Sequence, residues 1–197
     1  MPLIHTRTHM PYRRIPFEVG AVYHIYNRGV AKQAIFFNSG HYDLFLQRLS
    51  DHVLPVASLI ACCQMPNHYH LVMRISKAHF SDAMQRFSLS FVKAVNKSQG
   101  RVGPLFQSRF HAKCVNDDRY LATLIDYVHQ NPVDGGIALT PGDWSYSSYR
   151  AYEKLGLALP ALHLTQSIHH GAFEWPSLTL ADFSFRTYPA SKKPGTT

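Results

Sequence analysis

His68-Tyr69-His70-Leu71-Val72-Met73-Arg74-Ile75 alternates along its length, and the rest of the chain can be read outward from it. In extended backbone, successive side chains point to opposite faces, so Tyr69, Leu71, Met73 and Ile75 line one face. That face is apolar and calls for helices packed on it. His68, His70, Val72 and Arg74 line the other. Two same-face histidines in a strand stand roughly 6.6 Å apart at Cα, close enough for both imidazoles to converge on one divalent cation. A chain with 13 histidines also produces such a pair by chance, and a solvent-facing pair is the plain alternative.

Upstream, Pro66-Asn67 punctuates, and the nearly unbroken apolar run from Val56 to Met65 reads as a central strand hairpin-paired with the first. Before it, Tyr42, Phe45, Leu46, Leu49 and Val53 recur at helical spacing, and Pro55 closes that helix. Gly20 to Arg28 alternates and reads as the opening strand. Downstream, a helix is expected from Ser81 to Lys97, capped by Ser81 or Asp82, with Met84, Phe87, Phe91 and Val95 inward. Leu105 to Val115 is extended. Asn116-Asp117-Asp118 caps a third helix that should stop near Asn131, because Pro132 disfavours helical geometry just before it. A fourth helix is expected over Ser147 to Leu155. The order β-α-β-β-α-β-α implies an α+β, ferredoxin-like split β-α-β fold: an antiparallel sheet with helices on one face and a further helix after the last core strand.

Three parts are expected: a basic arm over 1–16, a folded domain over 17–155, and a partly disordered extension over 156–197. The net charge of +8 is uneven. Arg7 to Lys113 holds fourteen Lys/Arg against four Asp/Glu, and the remainder holds six against eight. A basic first half suits a polyanionic partner as well as ordinary solubility. The three cysteines, Cys62, Cys63 and Cys114, lack zinc spacing and read as reduced thiols. No signal peptide or membrane-length apolar run is visible, so a cytoplasmic protein without membrane contact is expected.

On a wheel of about 100° per residue, Leu121, Leu124, Ile125 and Val128 form the buried stripe of the third helix. Tyr127 and Asn131 share one border of it, one turn apart. His129 falls on the opposite border and should not share their site. Pattern alone leaves Tyr127 either a packing tyrosine with a wet hydroxyl or a reactive group.

Met65-Pro-Asn-His68-Tyr-His70-Leu-Val72 and, some sixty residues on, Asp126-Tyr127-Val-His-Gln-Asn131-Pro-Val133 together resemble the paired signature of the IS200-like Y1 HUH transposases. Tyr23-His-Ile-Tyr-Asn-Arg-Gly29 and Gly103-Pro-Leu-Phe-Gln107-Ser-Arg109-Phe110 resemble the REP-associated branch of that family. The H-x-H is weak alone; four motifs in the right order are specific, and they span roughly residues 18 to 155. The resemblance implies a metal-dependent endonuclease and strand transferase acting on single-stranded DNA with a REP-like hairpin. Tyr127 would be the nucleophile, forming a 5′-phosphotyrosine. His68 and His70 would hold Mg²⁺ or Mn²⁺, with Asn131, four residues after the tyrosine, as third ligand. IS200-type members typically carry Gln there, and the asparagine leans toward the REP-associated branch.

Arg13, Arg14, Arg28, Arg74 and Arg109 offer phosphate contacts, and Tyr12, Tyr23, Tyr26 and Phe106 offer rings on which unpaired bases could stack. The alternatives are a domesticated relative that binds hairpin DNA without cutting, and a metal hydrolase in which water attacks. The sequence leaves open monomer or homodimer, the target sequence, and what takes the proton of Tyr127.

Overall fold

The computed structural model describes residues 16–157 and 174–183. Arg13, Arg14, Tyr12 and most of the 156–197 extension lie outside the described residues.

Four strands form one antiparallel sheet: β1 (Val22–Arg28), β2 (Ala57–Met65), β3 (His68–Ile75) and β4 (His111–Val115), in the order β2-β3-β1-β4. This is the split β-α-β arrangement that the sequence order implies. The strand carrying both histidines has the expected bounds. It is central, with β2 on one side and β1 on the other, which positions its outward residues in the middle of a face.

α1 (Ser39–His52) and α2 (Phe80–Ser98) cover the apolar face. Phe45 of α1 and Phe87 of α2 meet edge-to-face at 4.9 Å, and both pack against Tyr69 of β3. Burying several phenylalanines of this kind contributes about 1.5–3 kcal/mol each before entropy is charged against it. Asn38 caps α1 by accepting from His41 N–H at 3.1 Å. The expected cap of α2 is not the observed one. That helix begins at Phe80, with no side-chain bond from its N-cap His79, because the fully buried Phe80 ring anchors the first turn in the core. Asp82 instead sits in the first turn, where the helix dipole favours a carboxylate.

α3 (Asp118–Asp134) crosses the opposite face, its end against β2, and α4 (Tyr149–Lys154) follows. Asp117 caps α3, accepting from Arg119 N–H at 3.0 Å. Contrary to expectation, α3 does not stop at Asn131; it runs through Pro132 to Asp134. Proline lacks only its own N–H and its φ is already helical, so this close to the end the loss is a single bond to the Val128 carbonyl. Gly135 N–H to Asn131 O at 2.8 Å and Ile137 N–H to Pro132 O at 2.9 Å then close the terminus.

β2, expected from its apolar run to be central, is instead an edge strand of the sheet, and its outer edge is covered by two short bridges, Cys63 with Ser147 and Leu59 with Leu178. An open strand edge invites pairing with another chain, and these bridges blunt it. Cys62 and Cys63 are buried free thiols and Cys114 is partly buried, as expected of reduced cysteines. No helix among the described residues is long and apolar enough to cross a membrane.

Candidate active site

The site is built on the outward face of β3 and the inward border of α3. Asn67 opens the first step. It follows Pro66 in the β2–β3 turn, and its amide Nδ2 donates to Lys32 O at 3.2 Å while Gly29 N–H donates to Asn67 O at 2.8 Å. The turn is thus tied to the loop after β1. In that loop Ala31 and Lys32 adopt φ of 50° and 60°, a left-handed backbone that non-glycine residues avoid. Gly29 permits the tight approach, since a Cβ there would collide with the carbonyl oxygen of Gln33. Strain of this kind persists where surrounding structure imposes it, often beside a functional site.

With Nδ2 committed to Lys32, the Asn67 Oδ1 is the atom facing His68, and Nδ1 of His68 donates to it at 2.6 Å. Nε2 of His68 therefore carries a lone pair. It points at Oδ1 of Asn131, 3.4 Å away. That amide is also fixed, because its Nδ2 donates to Tyr127 O at 2.7 Å. Two acceptor atoms thus face each other with no hydrogen between them. A cation satisfies both, and the donor chemistry suits it: imidazole nitrogen and carboxamide oxygen. His70 adds a second imidazole, its ring perpendicular to that of His68 with centroids 5.1 Å apart.

Burial favours the neutral form of His24, His68 and His70. His68 is lowered by desolvation; the Asn131 oxygen, which would accept a hydrogen from a protonated ring, opposes this, and the Arg28 charge reinforces it. His70 is pushed down to about 3 by desolvation, and then by His24, His68 and Arg28. Neutral imidazoles keep the lone pair that a metal needs. Among the described residues no group of three or more His, Cys, Asp or Glu side chains could hold a metal, so such a site depends on the asparagine.

Tyr127 projects from α3 beside this group. Its ring meets that of His70 edge-on at 5.5 Å, and 48% of the residue remains exposed. The helical border that grouped Tyr127 with Asn131 is therefore real, and both residues meet the histidine pair within a single chain. His129 is on the other border, as expected. It is buried, with Nε2 2.8 Å from Ser148 Oγ and its ring against Tyr152. Ser148 also binds both the N–H and the C=O of Cys62, so His129 locks α3 to β2 and α4.

Of the described arginines expected to meet DNA, Arg28 ends β1 opposite His68, beside the site. Tyr26 is opposite His70 and 37% exposed, its ring stacked on His111 of β4 at 5.2 Å. Arg74 is exposed on the same face but at the far end of β3, and Arg109 is exposed in the segment before β4. Two proposed stacking rings are corrected: Tyr23 and Phe106 are buried in the core, Tyr23 against Phe17 and Phe106 against Tyr69 and Phe91. Tyr23 shares strand parity with the fully buried Ile25, which is why it turns inward. Reading the sequence missed Asn67, His24 and His111. Strand parity marks His24 with Tyr26, and Asn67 immediately precedes the histidine pair.

Fold and site define a class: a ferredoxin-like antiparallel sheet presenting an H-x-H pair to a tyrosine-bearing helix laid across that face. The chain is similar to the REP-associated tyrosine transposases, and the resemblance read from the four motifs is borne out. A Haemophilus influenzae (strain Rd) protein bearing that name is 30% identical over 103 residues, covering 46% of this chain and 57% of the relative. This chain thus spans little more than half the length of that curated relative. A REP-associated tyrosine transposase, solved bound to a REP hairpin, has the same fold, with a TM-score of 0.60 over 77% of this chain and 89% of its own, at 18% identity. A transposase structure from Deinococcus radiodurans aligns more loosely, with a TM-score of 0.41 at 13% identity over 61% of this chain and 96% of its own. No family model matches the chain.

Proposed function

We propose that this protein is a cytoplasmic REP-associated tyrosine transposase that cleaves and rejoins single-stranded hairpin DNA through a 5′-phosphotyrosine on Tyr127. One observation carries the reading: the half-exposed Tyr127 stands against His70 while His68 Nε2 and Asn131 Oδ1 face each other across 3.4 Å, all in one chain.

His68, His70 and Asn131 would hold a divalent cation, Mg²⁺ or Mn²⁺, which when bound polarises a phosphodiester and offsets its developing charge. The residues of the chain do the rest. Tyr127 Oη attacks phosphorus and loses its proton; the bond from phosphorus to the 3′-oxygen breaks, and that oxygen leaves as a 3′-hydroxyl after taking up a proton. The new phosphotyrosine conserves the bond energy, so another 3′-hydroxyl can displace Tyr127 and reseal the strand without a nucleotide cofactor. Asn131 holds the tyrosine turn through the carbonyl of Tyr127, and Asn67 holds His68.

The DNA surface continues from this point. Arg28 lies beside the histidines for the nearest phosphate, with Arg74 and Arg109 further out and Arg13 and Arg14 on the arm. Tyr26 and His111 form an exposed stacked pair next to His70, a platform for an unpaired base. A phenol placed half-exposed against a neutral imidazole supports tyrosine chemistry over the two readings that do without it.

The deciding experiment incubates the protein and Mn²⁺ or Mg²⁺ with a single-stranded hairpin oligonucleotide nicked so that the released strand diffuses away. Peptide mapping should find the adduct on Tyr127. Cleavage without any adduct would select the hydrolase reading, and binding without cleavage under both metals the domesticated one.

A further inference from the structure

His24 has no role in the reading above, yet its placement is specific. The β1–β3 register pairs Tyr26 with His70 and His24 with Val72, so His24 sits one diagonal step from His70 on the same face. The rings stack with centroids 5.1 Å apart, and His24 Nε2 lies 2.8 Å from His70 Nδ1. Both residues are buried. Lys113 faces His24 across β4 in the register, and the rings of Tyr26 and Tyr127 complete its surroundings at 4.9 and 6.4 Å.

A neutral imidazole carries hydrogen on one nitrogen only, so this contact has a direction. Were His24 the donor, the hydrogen of His70 would sit on Nε2 and leave that nitrogen no lone pair for a cation. With His70 donating from Nδ1, Nε2 presents its lone pair. His68 already shows the second pattern, with Nδ1–H on Asn67 and Nε2 free. The two rings then present equivalent nitrogens.

We infer that His24 is a positioning residue: it accepts the Nδ1–H of His70 and holds that ring in the tautomer whose Nε2 can bind a divalent cation. It acts on the cation site without touching the cation, and the inference rests on the proposed role of His70 as ligand. Partners of this kind typically change metal affinity ten- to a hundredfold.

Two measurements test it, both on the full chain. Long-range ¹H–¹⁵N correlation on ¹⁵N-histidine protein reads the tautomers of the wild type without metal; His70 should carry its hydrogen on Nδ1, and a hydrogen on Nε2 overturns the inference. Mn²⁺ titration followed by calorimetry, without DNA, then compares variants. His24→Phe should bind Mn²⁺ ten- to a hundredfold more weakly, and His24→Gln, whose amide oxygen can accept the same hydrogen, should recover most of the loss. Unchanged affinity in a folded His24→Phe overturns the inference. A His70→Ala control separates the layers: if it binds Mn²⁺ as well as the wild type, the ligand role of His70 itself fails. If it loses binding while His24→Phe does not, only the role of His24 falls. Should His24→Phe not fold, the wild-type tautomer decides alone.

Discussion

Nε2 of His68 and Oδ1 of Asn131 lie 3.4 Å apart, each turned toward the other by a hydrogen bond made at its far side. Asn67 takes the Nδ1–H of the imidazole, and the Tyr127 carbonyl takes the Nδ2–H of the amide. With those hydrogens on the far sides, neither facing atom brings one to the other, and the arrangement makes α3 answer to β3: whatever joins the two acceptors also sets the turn that carries Tyr127.

The first prediction concerns Asn131. Asn131→Ala removes the oxygen and the tie to the Tyr127 carbonyl, and Mn²⁺ affinity should fall by at least tenfold. Asn131→Asp restores an oxygen and adds charge, so it should bind Mn²⁺ at least as tightly as the wild type. Calorimetry reads both. Equal affinity across the three proteins would remove Asn131 from the ligand set.

Tyr127→Phe should abolish covalent protein–DNA adducts and strand cleavage. Because the side chain is half-exposed, stability should shift by no more than about 0.5 kcal/mol, as for most surface positions. Hairpin binding measured by fluorescence anisotropy in EDTA should stay within about twofold. Adducts that persist in the variant would move the nucleophile elsewhere.

Tyr26 and His111 should matter for affinity rather than chemistry. Loss of a base-stacking ring costs about 1–3 kcal/mol. Tyr26→Ala should therefore weaken binding of a hairpin with an unpaired flank by about 5- to 150-fold, and binding of a fully paired hairpin much less. An equal loss on both substrates would argue against stacking.

Much of the site is legible in the sequence for a physical reason: strand parity and helical period act over a few residues. They put His68 with His70, Tyr127 with Asn131, and His129 away from both. They also contain the correction of Tyr23, which shares its face with Ile25. What local period does not carry is register between strands far apart in sequence. The His24–His70 contact needs β1 set against β3, and the Tyr26–His111 stack needs β1 set against β4. The run of α3 past Pro132 escapes a sequence reading for a related reason. The bias against helix before proline is a local cost, whereas Asn131 is held helical by α3 packing over the sheet and by its own side-chain bond back to Tyr127.

His129 makes acid sensitivity testable apart from the metal site. Desolvation lowers it from 6.5 to about 3 in the fold. Between those values the unfolded chain holds the extra proton and the folded one does not, so stability is complete above about pH 6.5 and is lost as pH falls. Each such histidine contributes a slope of about 1.4 kcal/mol per pH unit. Urea unfolding of the wild type should show stability falling from pH 6.5 to 4. In His129→Gln, which keeps a partner for Ser148, that slope should be shallower by about this amount. Identical slopes would mean that His129 is protonated in the fold.

The segment 174–183 supplies the last prediction. Leu178 N–H donates to Leu59 O at 2.7 Å on the outer edge of β2, Leu178 and Phe183 are buried, and Trp175 Nε1 reaches Asp118 Oδ1 at 3.4 Å near the start of α3. Leu59 pairs with Met73, toward the end of the hairpin away from His68, so the segment braces the sheet at a distance from the histidines. Removing everything after Leu157 should lower stability by a few kcal/mol, since each large apolar side chain buried there contributes about 1.5–3 kcal/mol. It should also bare the β2 edge, raising the apparent mass in sedimentation as concentration increases, because an unpaired edge pairs with another. Nicking per folded molecule should hold within about twofold, because none of the hydrogen bonds described for residues 174–183 reaches a residue of the site. A truncated protein whose mass shows no added concentration dependence and which keeps its stability would show that the Leu59–Leu178 bridge contributes nothing. A large loss of nicking at unchanged stability would instead draw the segment into the DNA surface.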